Sequence, residues 1–132
     1  MPVDEMNTSP FKGRTGLVRI WNAFHYSLDG LVSAYRHESA FRQELWLGIV
    51  MAAVAVLLPA SLVQMALLLG SVLLVLITEL LNSAVEAVVD RVSAERHDLA
   101  KRAKDMGSAA VFISLASCVI VWGLVLVDIL SD

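Results

Sequence analysis

Between Leu45 and Thr78 the chain runs 34 positions without a charged residue, and a second uncharged run of 22 extends from Met106 to Val127. A helix crosses a hydrocarbon core of about 30 Å with about 20 apolar residues, so the first run is too long for one ordinary span. It is interrupted at LLPASLVQ, residues 57–64. Proline opposes continuation of a helix, and Ser61 followed three residues later by Gln64 is a capping-box pattern that starts a new one. The pattern predicts two antiparallel spans, about 39–58 and about 62–90, followed by a third over about 95–130. At 1.5 Å per residue the second would be about 43 Å long, more than the bilayer requires, so its last turns are expected to leave the hydrocarbon.

Residues 17–37 follow a different rule. Apolar side chains at 17, 20, 21, 24, 28, 31, 32 and 35 recur every three or four positions, while Arg19, Asn22, Asp29, Ser33 and Arg36 fall mostly elsewhere. This is the period of an amphipathic helix. Trp21, Tyr26 and Tyr35 suit the headgroup zone, so the helix is expected on the cytoplasmic membrane surface. Packing against the protein's own spans is the other reading, and Gly30 is a candidate bend. Residues 1–16 form a polar tail without the apolar core of a signal peptide, which leaves insertion to the spans.

Composition agrees with a polytopic membrane protein. The chain is 58% hydrophobic and 17% charged, against about a quarter charged in soluble domains. Its one cysteine, Cys118, excludes an intrachain disulfide and is expected to pack inside the last span. All ten basic residues lie at or before Lys104, with none in the turn around Pro59. The positive-inside rule therefore puts the N-terminus and the 91–104 connection in the cytoplasm, and the turn and the C-terminal end on the far side.

Charge returns abruptly in ITELLNSAVEAVVDR, residues 77–91. Glu79, Asn82, Glu86 and Asp90 are spaced three, four and four apart, so they share one helix face. Glu79 would lie about 26 Å from the Ser61 end, near the cytoplasmic edge of the core. An ionisable group at that depth is costly and is by default a functional candidate. The plainer readings are a polar helix contact through Asn82 and a protonated Glu79, and a solvated helix end at Asp90. Glu38, in HESAFRQE, could join Glu86 as a hard oxygen ligand for magnesium, which usually takes one or two protein carboxylates. Alone, Glu38 reads as a solvated glutamate paired with Arg42 four residues on, and Glu44 is similarly ambiguous. Lys101, Arg102 and Lys104 suit a polyphosphate, or simply anchor the cytoplasmic side. No P-loop or protein-kinase motif is present, and His25, His37 and His97 are too scattered for zinc.

ELLNSAVEAVVDR followed by KDMGSAAV, with HESAFRQE upstream, resembles the bacterial integral-membrane diacylglycerol kinase family, over about residues 17–127. The resemblance implies an all-α homotrimer of a surface helix and three spans in the bacterial inner membrane, with active sites shared between subunits. It implies transfer of the γ-phosphoryl of MgATP to diacylglycerol, giving phosphatidic acid, with Mg2+ as cofactor and no nucleic-acid partner. Carried over, the catalytic base falls on Glu79, with Asn82 beside it, and the metal ligands on Glu38 and Glu86. Nucleotide contacts fall on Arg19, Tyr26, Glu38, Glu86, Glu95, Arg96, His97, Lys104 and Asp105. The lipid acceptor falls near Glu79, Ser108, Ala40, Phe41, Arg42, Gln43 and Glu44. The chain departs from the best-known Gram-negative pattern at Phe24, Leu28, Asp29 and Arg96. Two alternatives stand beside diacylglycerol phosphorylation: an undecaprenol kinase of the same family, and a small proton-coupled transporter that uses a membrane glutamate.

Overall fold

A computed structural model of the chain describes residues 16–92 and 97–132. Four helices account for nearly all of them: α1, Gly16–His37; α2, Ser39–Leu57; α3, Leu62–Val92; and α4, His97–Ser131. Three stretches, Ser39–Leu57, Leu62–Val92 and Asp98–Ser131, are long and apolar enough to cross a membrane. The all-α architecture of one amphipathic and three apolar helices is therefore the one the hydrophobic pattern predicts.

The chain divides into two units, Met1–Ser33 and Ala34–Asp132. In the first, α1 runs unbroken through Gly30. Its apolar residues Leu17, Ile20, Trp21 and Phe24 are all more than half exposed, and Trp21 meets the His25 ring edge-on at 4.7 Å.

In the second unit, α1 ends and α2 begins at Glu38, whose extended backbone (φ −116°, ψ 105°) separates the two helices. The last carbonyls of a helix lack intrahelical donors. Arg42 supplies them: its Nη1 donates to the carbonyl of Tyr35 at 2.7 Å and to that of Arg36 at 3.1 Å. Trp46 Nε1 adds a bond to Tyr35 Oη at 3.2 Å. The corner that carries Glu38 is thus tied to the first turns of α2.

The turn into α3 is closed by the capping box that the sequence predicts. Gln64 N–H donates to Ser61 Oγ at 3.1 Å, and Ser61 N–H donates to Gln64 Oε1 at 2.9 Å. Gln64 Nε2 also donates to Asp128 Oδ2 at 2.5 Å, fastening the start of α3 to the end of α4. α3 packs against both α2 and α4. Ala55, Leu68 and Val125 form one buried cluster, and Val72, Val75 and Cys118 another, with Met51 and Trp122 packed on the second. Ser71, buried among them, donates to the Leu68 carbonyl at 2.8 Å and accepts from Trp122 Nε1 at 3.1 Å. Its hydroxyl is satisfied away from water, as a buried polar group must be. Cys118 is free and buried, so it serves as packing.

α2 lies close against α3 at Gly48, where an added Cβ would lie 2.9 Å from Val72 Cγ1. Val72 is buried and cannot swing away freely. Gly48→Ala is expected to destabilise the subunit by about 1–3 kcal/mol, the usual cost of overpacking. Thermal unfolding in detergent micelles tests this: a variant as stable as the wild type would show that the crossing has room for a methyl group.

Candidate active site

The polar stripe on α3 lies where α3 ends and α2 and α4 begin, so residues from three helices converge at one end of the bundle. Glu79 is only 7% exposed and makes no hydrogen bond or ion pair among the described residues. One turn on, Asn82 Nδ2 donates to Glu86 Oε1 at 3.4 Å, a weak, long bond. The Asn82 Oδ1 atom is buried and has no hydrogen-bond partner among the described residues.

Two further carboxylates face this stripe. Glu79 interacts electrostatically with Glu86 and with Glu38 from the α1–α2 corner, and Glu44 on α2 with Glu79. Like charges near a low-dielectric medium repel more strongly than in water. A cation held among them would relieve that repulsion. Glu44 Oε2 is buried without a hydrogen-bond partner among the described residues, and Glu44 joins Leu47, Met51, Val72, Val75 and Leu115 in lining an otherwise apolar cleft between α2, α3 and α4.

From α4, Lys104 Nζ pairs with Asp90 Oδ1 at 2.6 Å and also interacts electrostatically with Glu86. Both partners of that pair are substantially exposed, and such surface pairs contribute little to stability. The ammonium group can therefore be given over to a phosphate at small cost. Lys101 pairs with Asp105 at 2.6 Å, one turn apart on the same helix. Gly107 lies directly against Asn82, so that an added Cβ would meet the amide oxygen.

The expected site residues thus divide into groups. Glu38, Glu79, Asn82, Glu86 and Lys104 are neighbours, with Glu44 on the same side. Ser108, next to Gly107, is exposed. Asp105 is turned to Lys101. Arg19 and Tyr26, two turns apart and so on one face of α1, belong to the other unit. Glu95 and Arg96 lie outside the described residues, and of His97 only the helical backbone is described. Within the 40–44 stretch Phe41 is 2% exposed, a core position, while Ala40 and Gln43 are exposed. Arg42 does not take up the expected ion pair with Glu38, because the helix-end carbonyls of Tyr35 and Arg36 claim its guanidinium. Asp90, read from sequence as a solvated helix end, is exposed but paired with Lys104. Its partner is 14 positions away in sequence, and only the closed α3–α4 hairpin shows the pairing.

Fold and site together define an all-α membrane protein with a carboxylate cluster and a lysine gathered at one end of its helix bundle. Comparison with known proteins narrows this class. The family described as prokaryotic diacylglycerol kinase matches residues 25–126. A diacylglycerol kinase of Pseudomonas aeruginosa is 55% identical over 121 residues, covering 92% of this chain and 98% of that protein. Diacylglycerol kinases of Haemophilus influenzae and Escherichia coli are 50% and 48% identical, covering 83% and 85% of this chain and 92% of each relative. The chain belongs to the prokaryotic diacylglycerol kinase family.

Proposed function

We propose that this chain transfers the γ-phosphoryl group of MgATP to the free hydroxyl of diacylglycerol, yielding phosphatidic acid and ADP. Family membership and the names of relatives up to 55% identical support the reaction. The observation that carries it to particular residues is Glu79, a buried carboxylate without an ion-pair partner among the described residues, on a helix of membrane length.

In this reaction the acceptor oxygen bonds to the γ-phosphorus while the bond from that phosphorus to the β–γ bridging oxygen breaks, and ADP leaves. Glu79 accepts the hydroxyl proton. Phosphoryl transfer demands alignment and charge neutralisation more than covalent catalysis. Lys104 supplies positive charge when the nucleotide phosphates replace Asp90 as its partner. Glu38 and Glu86 would hold the magnesium ion. They fit it: they are hard oxygen donors in a cluster whose repulsion calls for a cation, and magnesium takes few protein ligands beside phosphate and water. Among the described residues no three or more acidic, histidine or cysteine side chains are arranged to hold a metal ion on their own, so nucleotide phosphate and water would supply its remaining ligands. When bound, the ion neutralises phosphate charge and orients the γ-phosphoryl group.

Asn82 positions this centre. Arg19, Tyr26, Glu95, Arg96, His97 and Asp105 complete the nucleotide contacts, and Ser108 with the 40–44 stretch borders the lipid acceptor. The enzyme works as a homotrimer with shared sites in the bacterial inner membrane, its N-terminus and the 91–104 connection in the cytoplasm. α1, from residue 17, rests on the bilayer surface, and 38–132 forms the catalytic part. The outward-facing apolar residues of the spans, Leu73, Ile77, Phe112 and Val119 among them, are available to lipid and to neighbouring subunits.

The test is to incubate the purified protein in micelles with radiolabelled ATP, magnesium and either diacylglycerol or undecaprenol, then to separate the lipids by thin-layer chromatography. Labelled phosphatidic acid is expected to dominate. Label only in undecaprenyl phosphate, or in neither lipid, would refute the assignment.

A further inference from the structure

We propose that Gly107 is a positioning residue for the metal-binding carboxylate Glu86, acting through the side chain of Asn82; the proposal rests on the kinase reading above. Asn82 sits on α3 between the reacting groups, one turn after Glu79 and one before Glu86. Its amide nitrogen donates to Glu86 Oε1, while its amide oxygen points to α4 and takes the space that a Cβ on residue 107 would occupy. A Cβ there would meet Asn82 Oδ1 first, then Cγ at 3.2 Å, and the Asn82 backbone only at 3.9 Å.

The order of those contacts decides what a substitution would do. The nearest obstacle is the far end of a side chain, not a helix backbone, so a methyl group at 107 displaces the amide and leaves the α3–α4 crossing in place. Turning the amide away withdraws its nitrogen from Glu86. Glu86 then loses the one hydrogen bond that orients it among the described residues, while it stays close to Glu79 and Lys104. Partners that orient a metal ligand typically contribute about 10–100-fold to affinity or activity. Helix propensity works in the opposite direction, because alanine is a better helix former than glycine. The substitution should therefore weaken metal binding without weakening the fold.

Wild type, Gly107→Ala, Asn82→Ala and the double variant are compared by paramagnetic resonance titration of Mn2+ in the presence of a non-hydrolysable ATP analogue. Thermal unfolding and the magnesium dependence of lipid phosphorylation are measured in parallel. Because the bond withdrawn is a long one, Gly107→Ala is expected to bind Mn2+ about 10-fold more weakly, the lower end of that range, with a melting temperature equal to or above that of the wild type. The double variant should bind no more weakly than Asn82→Ala, since residues acting through one contact give non-additive losses. Unchanged Mn2+ binding in Gly107→Ala, or losses that multiply in the double variant, would overturn the proposal. A Gly107→Ala that fails to fold, or melts well below the wild type, would overturn it too, since the order of contacts predicts that the amide yields and the crossing does not. A wild type that binds Mn2+ with nucleotide but phosphorylates no diacylglycerol refutes the reaction, and the titration still decides the role of Gly107. A wild type that binds no Mn2+ refutes both.

Discussion

Glu79→Gln is expected to turn over at least about 10²-fold more slowly than the wild type, the lower end of what a general base contributes. Glutamine keeps the size and hydrogen-bonding capacity of the side chain but cannot take up the hydroxyl proton. Stability should move the other way. Glu79 is 7% exposed with no partner among the described residues, and an unpaired buried charge costs far more than a neutral amide. It also faces Glu38 and Glu86, so removing it relieves repulsion. The purified variant should melt at or above the wild-type temperature and assemble normally. Steady-state kinetics and thermal unfolding on one preparation check both halves. Near-wild-type turnover would remove Glu79 from the reaction, and loss of activity with loss of fold would make it a structural residue.

The opposition expected between stability and activity at Glu79 has its source in a break of the sequence pattern. A charged residue after a 34-residue uncharged run breaks the pattern that builds the span, and a break without local compensation marks function more than fold. The helices themselves were legible for the converse reason. Hydrophobic runs, the Pro59 interruption and the Ser61–Gln64 cap each act within a few residues, and the cap forms with both of its bonds. What the sequence leaves open depends on residues that meet only when the bundle closes. Asp90 finds Lys104, and Asn82 finds Gly107, across the α3–α4 hairpin. The opposite error occurs at Arg42, where helical spacing suggested Glu38 but the stronger claim was made by carbonyls at the end of α1. An i, i+4 ion pair contributes only a few tenths of a kcal/mol, and unsatisfied helix-end carbonyls next to a guanidinium readily outcompete it.

Glu86→Gln and Glu38→Gln carry the other large expected effect, a rise of at least about 10-fold in the magnesium concentration that supports half-maximal activity. Glu86→Gln is the cleaner probe. The glutamine oxygen can still accept from Asn82 Nδ2, as Glu86 Oε1 does, so the side chain keeps its orientation and loses only its charge. Glu38 is held differently, by a backbone corner that Arg42 ties to α2, and its replacement leaves that corner intact. Because the two carboxylates reach the site from separate elements, neither substitution should disturb the other's position, and their effects on magnesium dependence should compound unless one ligand alone suffices. Lys104 sharpens the distinction between metal and nucleotide. It interacts with Glu86, so neutralising Glu86 leaves the lysine freer for phosphate, and at saturating magnesium the Michaelis constant for ATP should hold or fall while the magnesium requirement rises. Magnesium titrations at fixed ATP, followed by ATP titrations at saturating magnesium, separate the two. A magnesium dependence like that of the wild type in both variants would take Glu38 and Glu86 out of metal binding and leave their clustering around Glu79 to be explained by lipid or nucleotide contacts instead.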